Sequence, residues 1–231
     1  MANEEGKLYL RQTQIGPMAN FVYFIGDPAT RKLAVVDPAW EVGAILDFVA
    51  REGYEIDKLL VTHYHPDHLG GSMMGQSVQG VAQMLERVKV KVYLNKNEAD
   101  GAKRVAGLSD SDIVKVEAGD VFKIGEMPVK FIHTPGHTPG SQCFLVDGNL
   151  ISGDTLFVGS CGRVDLPGSD PKAMYYSLNH TLKRLDDSTV VYPGHAYSPE
   201  SSTTIGHEKR RNMYLRFENL GEFLDAMGYS R

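Results

Sequence analysis

The sequence predicts an α/β fold on three observations. Short runs rich in β-branched and aromatic residues recur along the 231 residues, bounded by Gly, Pro and Asp. Between them, 40–51 and 77–88 carry apolar residues at helical spacing. Four times a strand-like run ends in a loop bearing His or Asp, at 63–68, 137, 154 and 195.

Composition narrows the class. Hydrophobic content of 42% and charged content of 23% describe an ordinary globular chain. Its length suits one domain spanning 1–231 with a sizeable core. A formal charge of -5, with no long run of one sign, gives no reason to expect nucleic acid or an anionic membrane as partner. The start, Met1 to Lys7, is acidic and lacks an apolar leader, and no stretch is apolar for long enough to span a bilayer. Two cysteines, Cys143 and Cys161, fit a reducing cytoplasm better than a disulfide framework.

The first elements are short strands at 8–10, 20–25 and 32–36, which read as antiparallel. Asp37 follows and is expected to cap a helix over 40–51, with Val42, Ile45, Leu46 and Val49 facing the core. Its alternative role is to orient a ligating imidazole. After the strand ending at Thr62, positions Val78, Val81, Ala82, Leu85 and Val88 predict a helix over 77–88. Met73, Met74 and Met84 can line an entrance, but gap-filling core is the expectation. A strand at 91–94, a short helix at 97–103 and a loop at 107–112 come next. Strands follow at 113–117, 121–124 and 129–132, a hairpin at 142–146 and 149–152, and a strand at 189–192.

The stretch Thr62-His63-Tyr64-His65-Pro66-Asp67-His68 carries the chemistry. Neutral imidazole is the commonest protein metal ligand, and carboxylate is the usual oxygen donor. In an extended segment His63 and His65 share a face and can point at one ion. Asp67 and His68, beyond a proline bend, can reach a second. Two prolines and two glycines between 134 and 140 make a tight loop that would hold His137 rigidly. Asp154 and His195 each sit on a loop after a strand. His133 ends a strand and is expected to be satisfied in the core or beside a ligand, while His180 and His207 are expected on the surface. Cys161 is expected to pack rather than react.

The ordered set His-x-His-x-Asp-His, then His137, Asp154 and His195, resembles the metallo-β-lactamase superfamily over essentially the whole chain. The resemblance implies a four-layer αβ/βα sandwich, two mixed sheets with helices on the outer faces and short helices from about 206. It implies that His63, His65 and His137 hold one metal and Asp67, His68 and His195 the other, with Asp154 bridging. His65 disfavours the flavodiiron pattern, which has Glu there. The segment Gly153-Asp154-Thr155-Leu156-Phe157, then Cys161-Gly162-Arg163, is similar to glyoxalase II, as is Pro193-Gly194-His195-Ala196-Tyr197. That likeness makes Arg163 and Tyr197 the substrate-contact candidates for a small glutathione-like thiol conjugate. Against it, the chain has little of the family's longer helical region, and 72–90 is longer than expected.

The implied reaction is hydrolysis of a thioester by a metal-bound hydroxide, with two divalent ions (Zn, or Fe or Mn) and Asp67 as the catalytic carboxylate. Metal lowers the pKa of water from 15.7 to about 7. A thiol of pKa about 8.5 then leaves without help from an acid, unlike an amide nitrogen. The sequence has no Gly-x-Ser-x-Gly elbow to suggest a serine nucleophile. The alternative is a persulfide dioxygenase, which the chain also resembles, with one Fe(II) on His63, His137 and Asp154. The Asp-Thr-Leu-Phe run favours the hydrolase. A non-catalytic metal-binding module is a third class, but closed structural zinc sites are built mainly from Cys and His.

Overall fold

The computed structural model describes residues 8–229; the acidic start, 1–7, lies outside them. The antiparallel meander β1 (Tyr9–Ile15), β2 (Asn20–Asp27) and β3 (Lys32–Val36) opens the chain. Helix α1 (Val42–Arg51) then crosses back to β4 (Glu55–Leu60), parallel to β3. Next come α2 (Pro66–Leu69), a hairpin of β5 (Gly71–Met73) and β6 (Gln76–Val78), and α3 (Val81–Leu85). Strand β7 (Val92–Asn95), α4 (Ala99–Ala106) and β8 (Ile113–Val116) complete a six-stranded sheet ordered β1-β2-β3-β4-β7-β8.

The second sheet begins with the antiparallel strands β9 (Val121–Ile124), β10 (Met127–His133), β11 (Gln142–Val146) and β12 (Asn149–Gly153). After the small hairpin β13 (Leu156–Phe157) and β14 (Ser160–Cys161) comes α5 (Pro171–Tyr176). Then β15 (Val190–Pro193) joins parallel to β12, followed by β16 (Thr203–Thr204), α6 (Ile205–Arg211) and α7 (Leu220–Ala226).

Side-chain alternation along the strands builds the layers. Val22 and Phe24 of β2 pack with Val42, Ile45 and Val49 of α1. Their neighbours Phe21, Tyr23 and Ile25 pack instead with Phe131, Phe144 and Ile151 of the second sheet. On that sheet's far side Ile132, Cys143, Leu150 and Val191 meet Met174, Ile205 and Phe223. The result is the expected αβ/βα sandwich of two mixed sheets with helices outside.

Topology places the chemistry at one edge. Strands β3 and β4 are parallel, as are β12 and β15, so each pair releases its C-terminal residues on one side. These four ends lead to Asp37, His63, Asp154 and His195. The sheets are tied there by Gln142, whose backbone N donates to Thr62 O at 3.0 Å and whose Nε2 donates to Val61 O at 2.9 Å. Among the described residues no helix is long and apolar enough to cross a membrane.

Three expectations need correction. Asp37 does not cap α1, which starts at Val42 behind Glu41 with no side-chain cap; Asp37 turns inward at φ 51° instead. The helix expected over 77–88 shrinks to Val81–Leu85, because 76–78 pairs back onto 71–73 through a Met74-Gly75 turn with both φ positive. Val78 fits either period, so spacing alone could not separate strand from helix. Of the three methionines only Met84 is core; Met74 is 97% exposed and Met73 lines a cavity at the site.

Candidate metal centre

Each of the seven sequence-selected side chains arrives by a different local device. His63 and His65 lie in extended backbone after β4. Pro66, at the first position of α2, turns the chain so that Asp67 and His68 project from that short helix. His137 is held in the β10–β11 loop, Asp154 follows β12, and His195 follows β15. His195 also forms an isolated bridge with Asn20, which fastens its loop to β2. Glycine at 194 is required by proximity: a Cβ there would lie 2.2 Å from Asp154 Oδ1.

The seven come together. Donor atoms of His63, His65 and His137 lie within 4.8 Å of one another, as do those of Asp67, His68 and His195. Asp154 sits between the sets. Its Oδ2 is 3.6 Å from His137 Nε2 and 3.3 Å from His195 Nε2, and its Oδ1 is 3.4 Å from His68 Nε2.

The partners on the far side of each ring decide which nitrogen faces inward. Nδ1 of His137 donates to Arg163 O at 2.9 Å, and Nδ1 of His195 donates to Met18 O at 2.9 Å. Nδ1 of His68 faces Asp37 Oδ2 at 3.0 Å. Thr62 Oγ1 donates to the same carboxylate oxygen at 2.6 Å, so it accepts from His63 Nδ1 at 3.0 Å. These four rings therefore turn an unprotonated Nε2 toward the centre when neutral, while His65 turns Nδ1 there. The inward nitrogens of His65 and His137 lie 2.9 Å apart, and those of His68 and His195 3.1 Å apart. Nitrogens so placed must share a proton or a cation between them. Buried His63 Nε2 and Asp154 Oδ1 have no hydrogen-bond partner, so a divalent ion fits the donors it would meet.

Electrostatics agree. Burial, reinforced by charge on neighbouring imidazoles, pushes His63 well below the usual histidine pKa and His65 down to about 4. Burial also opposes charge on His68, but Asp67 and Asp154 outweigh it and hold that pKa well above the usual value. His195 is similarly raised to about 9 against burial, chiefly by Asp154. The reciprocal attraction holds Asp67 well below the carboxylate range and Asp154 at about 2, both against burial. The two carboxylates thus favour the protonated forms of His68 and His195, and an ion bound at this cluster would compete with those protons. At pH 7.5 metal loading is expected to release protons, read by calorimetry in buffers of differing ionisation enthalpy. Uptake with no proton release would contradict these assignments.

Three supporting residues had no sequence signal. Asn20 Nδ2 donates to Asp67 Oδ2 at 3.0 Å, and its own Oδ1 accepts from Trp40 Nε1 at 3.0 Å. Thr62 links Asp37 to His63 as described. Glu98, fully buried, accepts from Tyr64 N at 2.7 Å, Thr138 Oγ1 at 2.9 Å and Gly140 N at 2.6 Å. It thereby clasps the loop of His63 and His65 to the loop of His137. Burial pushes its pKa up to about 7 against those donors.

A cavity of about 620 Å³ opens onto His65, Asp67, His137, Asp154 and His195. Arg163 and Tyr197 lie on its wall. Tyr197 is exposed and stacks on His195 at 4.5 Å between ring centroids; burial, then Asp154, raises its phenol to about 12 and keeps it a donor. The Arg163 guanidinium makes a two-pronged contact with Asp165 at 2.7 Å each. Cys161 borders the cavity, but burial raises its thiol to about 12, so it packs as expected. His133 stands outside the cluster and contacts Pro139 O at 3.0 Å, pinning the His137 loop; His180 and His207 are exposed, as expected.

Comparisons with known proteins point the same way. Residues 15–195 match the family model described as the metallo-beta-lactamase superfamily. A probable hydroxyacylglutathione hydrolase of Schizosaccharomyces pombe is 34% identical over 190 residues, 79% of this chain and 66% of that protein. A probable polyketide biosynthesis zinc-dependent hydrolase, BaeB of Bacillus velezensis, is 26% identical over 90% of this chain and 86% of its own length. The crystal structure of ETHE1 from Myxococcus xanthus superposes with a TM-score of 0.82 at 30% identity, covering 95% of this chain and 90% of that one.

Proposed function

This chain belongs to the metallo-β-lactamase superfamily, and from that premise we propose that it is a two-metal thioester hydrolase acting on a glutathione-like thiol conjugate. The observation that supports two ions is the pair of donor sets on either side of Asp154, in which the outward ring nitrogens of His63, His68, His137 and His195 are already hydrogen-bonded. His63, His65 and His137 would hold one ion, and Asp67, His68 and His195 the other, with Asp154 between. Bound there, zinc or another divalent ion brings the pKa of water from 15.7 to about 7 and polarises a carbonyl oxygen.

The chain's own residues do the rest. Asp67, oriented by Asn20, takes the hydrogen bond that holds the attacking water in line. Tyr197 donates from its phenol, and Arg163 offers a planar fork for a substrate carboxylate. Its contact with Asp165 is an exposed pair that such a carboxylate can displace. The thiol leaves without an acid, so nothing further is asked of the site. Arg163→Ala is therefore expected to raise KM several-fold while kcat changes little; equal loss in both would remove Arg163 from substrate binding.

A second reading rests on the ETHE1 likeness and on the resemblance to persulfide dioxygenases. There one Fe(II) on His63, His137 and Asp154 would serve oxygen chemistry on glutathione persulfide. Metal analysis of anaerobically purified protein, paired with two assays, tests both. Two equivalents of metal with oxygen-independent hydrolysis of a glutathione thioester supports the hydrolase. One iron with oxygen uptake on glutathione persulfide overturns it in favour of the dioxygenase.

A further inference from the structure

The cavity beside the cluster is apolar to a degree that the hydrolase reading does not require. Four separate chain segments contribute apolar side chains to it: Met18 from the β1–β2 turn, Met73 from the β5–β6 hairpin, Phe157 and Val158 from the β13–β14 hairpin, and Leu166 from the loop after Arg163. Apart from the residues of the cluster, its one charged side chain is Arg163, already paired with Asp165. Of these, Met18 is 36% exposed, and Met74, beside Met73 at the tip of the same hairpin, is 97% exposed. An exposed methionine costs contact with water unless something apolar covers it, and methionine's unbranched, polarisable chain moulds to aliphatic groups.

The floor of this cavity is the cluster itself, so whatever fills it is joined to the group undergoing reaction. A volume of about 620 Å³ is that of a small-molecule site. The polar contacts available, Arg163 and Tyr197, suit the thiol end of a conjugate, which leaves the apolar wall for the other side of the thioester bond. A small hydroxyacyl group would leave that wall wet, and a persulfide has no acyl group to cover it.

We propose that this wall binds an aliphatic acyl chain, so that the protein acts on thioesters of medium-chain acyl groups in preference to small hydroxyacyl ones. The proposal rests on the thioester reading above. It assigns the hairpin Gly71–Val78 a task, since Met73 is its contribution to the wall.

The test uses the metal-loaded chain and two matched series. S-acyl glutathiones from acetyl to decanoyl, with S-lactoylglutathione alongside, are followed for hydrolysis. S-alkyl glutathione thioethers of the same lengths, which cannot be hydrolysed, are followed for binding by calorimetry. Both kcat/KM and affinity are expected to rise about fourfold per methylene until the cavity is filled, the increment of burying a CH₂ group. Met73→Ser and Leu166→Ser are expected to flatten both slopes. Thioester turnover with flat series overturns the acyl-chain proposal and leaves the hydrolase reading standing. Rising thioether affinity without turnover of any thioester supports the apolar site and overturns the hydrolase reading.

Discussion

On the two-metal hydrolase reading, asparagine in place of Asp154 is expected to cut bound metal from two equivalents to one or none and to lower kcat/KM about a thousandfold. Asp154 is the carboxylate nearest both donor sets, with oxygens 3.3–3.6 Å from three imidazole nitrogens. One oxygen, Oδ1, is buried without a hydrogen-bond partner. Asparagine keeps the shape, which matters because Gly194 and Gly162 press close against this residue and leave no room for a larger one. It removes the negative charge and offers an amide nitrogen that has no lone pair to give. Lewis-acid stabilisation of several kcal/mol is then lost, at 1.36 kcal/mol per factor of ten. Metal analysis, turnover and a thermal melt together check this. Two retained equivalents and turnover within tenfold of the parent would take Asp154 out from between the ions.

The seven side chains that cluster were legible as candidates because each carries a local mark. His63 to His68 is a dense motif, and the other three follow strand-like runs on Gly- or Pro-bearing loops. The sandwich was legible only through the family resemblance that the ordered His and Asp motif carries; β2 is buried at every position, so its pattern alone does not announce two packed faces. What holds the donors in place was not. Glu98 sits at an ordinary helix start, and its three donors come from residues 64, 138 and 140, so only tertiary structure brings them together. Asn20 opens a strand like any other, and its partner Asp67 is 47 positions away. The 71–78 hairpin failed for a different reason: its turn, Met74-Gly75, lacks the Asn-Gly or Asp-Gly signature that marks such turns.

Asp37 shows how a sound local argument loses to a tertiary one, and it makes the second large prediction. Aspartate before a helix is a favoured cap, yet this one spends both oxygens elsewhere. Oδ1 accepts from Thr62 N at 2.8 Å, and Oδ2 accepts from Thr62 Oγ1 at 2.6 Å and from His68 Nδ1 at 3.0 Å. Its positive φ is retained for those contacts. Asp37→Asn keeps Oδ1 for Thr62 N but presents an amide N–H₂ to His68 Nδ1. Two donors cannot face each other, so His68 is driven to the other tautomer, with its proton on Nε2 and pointing at the metal. Affinity for the ion held by Asp67, His68 and His195 is expected to fall 10- to 100-fold, the usual effect of losing a residue that orients a ligand. Affinity for the ion at His63, His65 and His137 falls less, because Thr62 retains its contact with His63. Competition with a chromophoric chelator separates the two ions, and nitrogen chemical shifts of His68 report which of its ring nitrogens carry a proton. Unchanged affinity at both positions would mean that Asp37 serves the turn rather than the metal, and that burial alone orients His68.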